Sequence, residues 1–106
     1  MSESFRPSGV IVTLNIVPAL EERVVDWLLS RDSGGFTSRA AHGHSSHHDL
    51  LSAAEQVSGR QRRLEFEVEL PAASLDGFIA DLSEAFANAD LYYTVVPVLR
   101  SGHLGE

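Results

Sequence analysis

Apolar residues recur along this chain with two spacings, and each marks a type of element. Val10-Ile-Val-Thr-Leu-Asn-Ile-Val17 is β-branched and apolar on both alternating sets, with Thr13 and Asn15 as exceptions. A strand apolar on both sides belongs in the middle of a sheet. Leu20, Val24, Trp27 and Leu28 then repeat at helical spacing, with Val25 and Leu29 widening the stripe. Pro18 suits the start of that helix. Glu21 and Glu22 in the first turn, and Arg31 at the end, complement its dipole, and Asp32-Ser-Gly-Gly35 stops it. Trp27 reads as a core anchor.

Gly35 to His42 forms a weaker strand of small residues. The segment 50–57 can make about two helical turns or stay extended; so short a run does not decide. Arg60 to Leu70 alternates most clearly: Leu64, Phe66, Val68 and Leu70 on one side, Arg63, Glu65, Glu67 and Glu69 on the other. Pro71 ends it. Leu75, Phe78, Ile79, Leu82 and Phe86 mark a second amphipathic helix with Ser74 as its N-cap. Gly77 weakens that helix by roughly 1 kcal/mol against alanine and is expected to let it approach a strand closely. Leu91 to Leu99 is a last strand, placed at an edge by Pro97, which cannot donate to a ladder.

The order β-α-β-β-α-β predicts an α+β ferredoxin-like sandwich: a four-stranded antiparallel sheet, strands one and three central, both helices on one face. Residues 1–106 form one domain, with 1–8 a loose lead and 43–59 a mobile loop between strands two and three. The uncovered face would expose Ile11 and Val17, which predicts self-association through it. The glutamate row on strand three argues against a dry contact there.

Composition narrows the function. The net charge of −7, with eight arginines and no lysine, is a poor match for nucleic acid, whose binding rests on neutralised phosphates. The absence of cysteine excludes disulfides, thiolate metal sites and a cysteine nucleophile. No apolar run reaches the roughly 20 residues that cross a bilayer, and Met1 to Gly9 lacks the pattern of a secretory leader. A cytoplasmic protein without membrane insertion is expected.

Chemistry concentrates between residues 42 and 63. His42, His44, His47 and His48 fall within seven positions, with Asp49 beside them and Glu55 and His103 as outside candidates. In an extended segment His42 and His44 point the same way about 6.6 Å apart, which allows chelation; His47 or His48 can close the shell. Nitrogen and oxygen donors without sulfur suit Zn, Cu(II), Ni or Co. The bland alternatives are a solvated Ser/His loop, or His42 or His44 hydrogen-bonded at a strand end. Arg60 and Arg62 share one strand face and are candidates for an anion or nucleotide phosphate, or for contact with a neighbouring subunit. Arg63, on the other face beside Glu65, reads as a member of a cross-strand ion pair, worth about 0–1 kcal/mol if exposed. Ser45 and Ser46 beside histidines do not make a triad, because the partners must be fixed in space. The chain is not expected to be an enzyme.

Gly35-Phe-Thr37, Gly43-His44, Ala54-Glu-Gln-Val57 and Gly59-Arg60 together resemble the PII signalling superfamily. They are closest to a PII-like family whose genes accompany heavy-metal efflux pumps of the resistance-nodulation-division type. Gly43, Glu55, Gln56 and Gly59 are the residues that carry the loop motif. The resemblance implies a homotrimer with intersubunit clefts and a loop that reports ligand state to a partner, here a membrane metal exporter. It also implies an adenine-nucleotide alternative, with Arg60, Arg62 or Arg100 at the cleft. The departures are specific: the phosphate-holding Arg-Gln pair falls near Ser45, Ser46 and His47. In addition, Phe86 to Leu91 lacks the Gly and Lys that a phosphate cradle uses.

Overall fold

The computed structural model describes residues 8–31, 35–44 and 61–105. In order, they form β1 (Gly9–Ile16), α1 (Glu21–Ser30), β2 (Thr37–Gly43), β3 (Gln61–Pro71), α2 (Leu75–Ala85) and β4 (Leu91–Val98). Short 3₁₀ turns, Pro18–Leu20 and Ala72–Ser74, lead into the two helices. The strands form one antiparallel sheet in the order β2-β3-β1-β4, with β1 and β3 central. This is the expected ferredoxin-like arrangement, with β4 and its proline at an edge.

Alternation decides which residues the helices cover. Val10, Val12, Leu14 and Ile16 of β1 and Phe66, Val68 and Leu70 of β3 are buried together with Val24 and Leu28 of α1 and Phe78 and Leu82 of α2. Each fully buried side chain of this size contributes roughly 1.5–3 kcal/mol. Trp27 packs edge-on to Phe78 and Phe86, with ring centroids 5.3 and 5.8 Å apart, confirming its anchoring place. Arg31 follows α1, lies over the Trp27 ring at 4.8 Å and pairs with Asp81 of α2 at 2.8 Å. The two helices are thereby tied to each other as well as to the sheet.

Several local expectations are corrected. β2 begins at Thr37 rather than Gly35 and includes Gly43, so the segment leaving the sheet starts one residue later. Ser74 makes no side-chain capping bond; the chain entering α2 is held instead by the Ala72 N–H, which donates to the Ser8 carbonyl at 2.8 Å. Gly77 does not serve close packing, because a Cβ placed there meets nothing within 4 Å. Ile11 and Val17 are only half exposed.

The uncovered face is more polar than β1 alone suggests. Register places Thr37, Glu67, Thr13 and Thr94 in one row across it, and Arg39, Glu65, Asn15 and Tyr92 in the next. The turn from α2 to β4 passes through Asn88, whose φ of 63° is a left-handed conformation that asparagine tolerates. That turn brings Asp90 to the end of the sheet where β2 ends and β3 begins.

Candidate functional site

Arg63 is the centre of the described polar cluster. It belongs to the outward row of β3, yet it is only 5% exposed. Its Nε donates to Asn15 Oδ1 at 2.6 Å, and one terminal nitrogen donates to the Asn15 carbonyl at 3.1 Å. The other terminal nitrogen reaches Gln61 Oε1 at 3.3 Å and Asp90 Oδ1 at 3.2 Å. The guanidinium also lies 5.6 Å from the centre of the Tyr92 ring. Arg63 is thus a member of an ion pair across the sheet, with Asp90 as its partner, but a buried one, shared by β1, β3 and the turn before β4.

Glu65 is taken by other groups. Asn15 Nδ2 donates to its Oε2 at 3.3 Å, and Arg39 Nε to its Oε1 at 3.1 Å. Arg39 also donates to Glu67 Oε1 at 2.8 Å. Glu67 foremost, with Glu65 adding, holds the Arg39 guanidinium even more firmly protonated than usual. A continuous chain, Glu67–Arg39–Glu65–Asn15–Arg63–Asp90, therefore crosses the whole open face. The links are charged or amide hydrogen bonds, closed at Asp90 by an ion pair, and such networks fix geometry when fully satisfied.

Above this chain lies a cleft of about 720 Å³. Gly43 and His44 form one rim, Gln61 the other, and Asn88, Asp90 and Tyr92 close the far side. Gly43 and Gln61 are register partners. The rim is therefore made by the two strand ends from which segment 45–60 departs and to which it returns. Glu65 and Asp90 place two carboxylates on the lining against one buried arginine.

The structure separates the two described histidines. β2 ends at Gly43, so strand alternation stops between them. His42 stands opposite Arg62, on the side of the sheet that carries the helices, whereas His44 lines the cleft on the open side. Among the described residues no group of three or more His, Asp or Glu side chains is placed to hold a metal ion. His47, His48, Asp49, Glu55, Gln56, Gly59 and Arg60 lie outside the described residues. Arg62 is on the helix-bearing face and Arg100 lies just past β4; neither lines the cleft.

Asp90 and Tyr92 are not marked by the sequence, and Asn15 and Arg63 are marked only as a polar exception and an ion-pair member. The available signal was the pair of polar interruptions in β1. Thr13 and Asn15 break an otherwise apolar strand, and Asn15 does so at the position that meets the arginine.

The same fold recurs in solved structures of low sequence identity. The chain belongs to the family DUF3240, described as a protein of unknown function, whose model matches residues 7–105. A crystal structure of a member of that family from Shewanella baltica OS155 is 19% identical. It superimposes with a TM-score of 0.75 over 93% of this chain and 99% of that one. Bacillus subtilis GlnK, solved as a complex with ATP, is 14% identical with a TM-score of 0.65, over 91% of this chain and 86% of GlnK. No curated protein matches the sequence.

Proposed function

We propose that the protein is a PII-like regulatory protein, not an enzyme, that binds a divalent transition metal through His44 and the following histidine-rich segment. His47, His48 and Asp49 complete the donor set, and the metal is Zn, Cu(II), Ni or Co. The protein acts as a homotrimer on a partner such as a membrane heavy-metal exporter. Binding orders the surface that the segment presents, and the partner reads that change.

One observation carries the reading. The described part of the cleft presents a histidine and two carboxylates to an occupant and holds its single buried arginine in neutral and anionic partners. That lining favours a cation over a polyphosphate, whose charge would meet Glu65 and Asp90. His42 has a different role in this reading. It stands with Arg62 on the other side of the sheet, so His44 is the anchoring histidine.

The second reading is an adenine nucleotide in a cleft between subunits, with Arg60, Arg62 or Arg100 against the phosphates. The fold it shares with a protein solved bound to ATP favours it. The acidic lining and the loop Phe86 to Leu91, without Gly or Lys, oppose it. A ligand-free interaction protein is the third possibility. Calorimetric titration with zinc or copper tests the metal site: the wild-type isotherm disappears in the His44→Ala/His47→Ala variant. An unchanged isotherm removes these ligands.

A further inference from the structure

The cleft lining holds two carboxylates, Glu65 and Asp90, and they differ in what already occupies them. Both oxygens of Glu65 are engaged: Oε1 accepts from Arg39 at 3.1 Å and Oε2 from Asn15 at 3.3 Å. Asp90 is engaged at one oxygen only. Its Oδ1 lies 3.2 Å from a terminal nitrogen of Arg63, and among the described residues nothing holds Oδ2. The Asp90 side chain is also the more open, 46% exposed against 26% for Glu65. Asp90 therefore keeps an oxygen for an occupant of the cleft, and Glu65 does not.

Arg63 measures the gap between Asp90 and the histidine rim. A Cβ built at Gly43 would meet the Cγ of Arg63 at 3.4 Å and its Cδ at 3.7 Å, so the arginine leaves β3 against the end of β2. Its far end reaches Asp90. One side chain thus spans the cleft floor from Gly43, the residue before His44, to the turn before β4. Zinc binds imidazole nitrogen at about 2.0–2.1 Å and carboxylate oxygen at about 2.0–2.2 Å, so an ion shared by His44 and Asp90 needs their donor atoms only about 3–4 Å apart. Two side chains reaching inward across a gap that a single arginine spans can bring them there.

We infer that Asp90 supplies a carboxylate ligand, through Oδ2, to the divalent metal that His44 binds. This rests on the metal reading proposed above and names a ligand outside the histidine-rich segment. His44 and Asp90 make a pair, and the rest of the shell belongs to that reading. A carboxylate oxygen beside an imidazole nitrogen suits the same borderline cations. Arg63, anchored to Asn15 and Gln61, keeps Oδ1, so the ligand comes from a carboxylate already held in place. The metal then ties the end of β2 to the turn before β4. Those strands are the two edges of the sheet, so occupancy is felt beyond the segment itself.

Calorimetry on the full chain separates a ligand from the general charge of the cleft. The wild-type chain is titrated with zinc, Cu(II), nickel and cobalt salts, and the variants with the tightest binder. Asp90→Asn and Glu65→Gln each remove one negative charge from the same lining. Asp90→Asn is expected to weaken binding at least about tenfold, since even the outer partners of metal ligands are worth tenfold to a hundredfold. Glu65→Gln is expected to weaken it far less. Equal weakening by the two variants, or wild-type affinity in Asp90→Asn, overturns the assignment and leaves the metal reading standing. A wild-type chain that binds none of the four metals overturns both. Should circular dichroism show Asp90→Asn unfolded, carbon spectra of the wild-type chain decide with zinc: the Asp90 carboxyl signal moves and that of Glu65 stays. An unmoved Asp90 carboxyl in zinc-bound protein overturns the assignment.

Discussion

At the scale of single residues, Arg63 shows how position outweighs residue type. A guanidinium in the outward row of a strand is ordinarily solvated, with an ion pair worth under about 1 kcal/mol. Here Asn15, Gln61 and Asp90 surround it, and the Tyr92 ring lies beside it. Removing one partner of a buried polar cluster leaves the others unsatisfied. Arg63→Ala is expected to lower unfolding free energy by roughly 2–4 kcal/mol in urea titration. Arg39→Ala, which removes an exposed guanidinium, should shift the midpoint less. Equal shifts would mean that Arg63 is not the buried keystone described. Asp90 is 46% exposed, so Asp90→Asn should cost less than Arg63→Ala. Alternation alone did not reveal this environment, because Arg63 meets Asn15 and Asp90 only after β1 and the α2–β4 turn are assembled around it.

At the scale of elements, the regular pattern is legible almost completely in the chain. Alternation in β3 and helical spacing in α1 and α2 report burial directly, and Val24, Leu28, Phe78 and Leu82 lie where those patterns put them. Ends were less legible. Whether β2 includes Gly43, or whether Ser74 caps α2, depends on neighbours that local sequence does not specify. The ending of β2 also decides the histidine geometry: two residues of spacing imply a shared side only while the strand continues. Gly77 offers a direct test of the element-level account. It sits inside α2 with open space around its missing side chain, so alanine gains helix propensity without meeting a clash. Gly77→Ala is expected to stabilise the protein by about 0.5–1 kcal/mol, read as a raised denaturation midpoint. A lowered midpoint would show that α2 needs the glycine for packing.

At the scale of the whole molecule, the sheet is a platform with distinct surfaces. One face is covered by helices, the other carries a hydrogen-bonded network, and one end holds a cleft rimmed by the strand ends that bracket segment 45–60. None of the described helices is long and apolar enough to cross a membrane. The fold was legible because hydrophobic periodicity encodes it. The choice of ligand was not, since it depends on which charges the completed sheet gathers at its end. Thermal unfolding with a panel of divalent metals and a parallel panel of adenine nucleotides tests the central claim most directly. A ligand at one hundred times its Kd stabilises the folded state by about 2.7 kcal/mol, which raises the Tm of a domain this size by roughly 10 °C or more. The account predicts such a rise with one or more of Zn, Cu(II), Ni and Co, and none with nucleotides. A rise with nucleotides alone, or with neither panel, would contradict it.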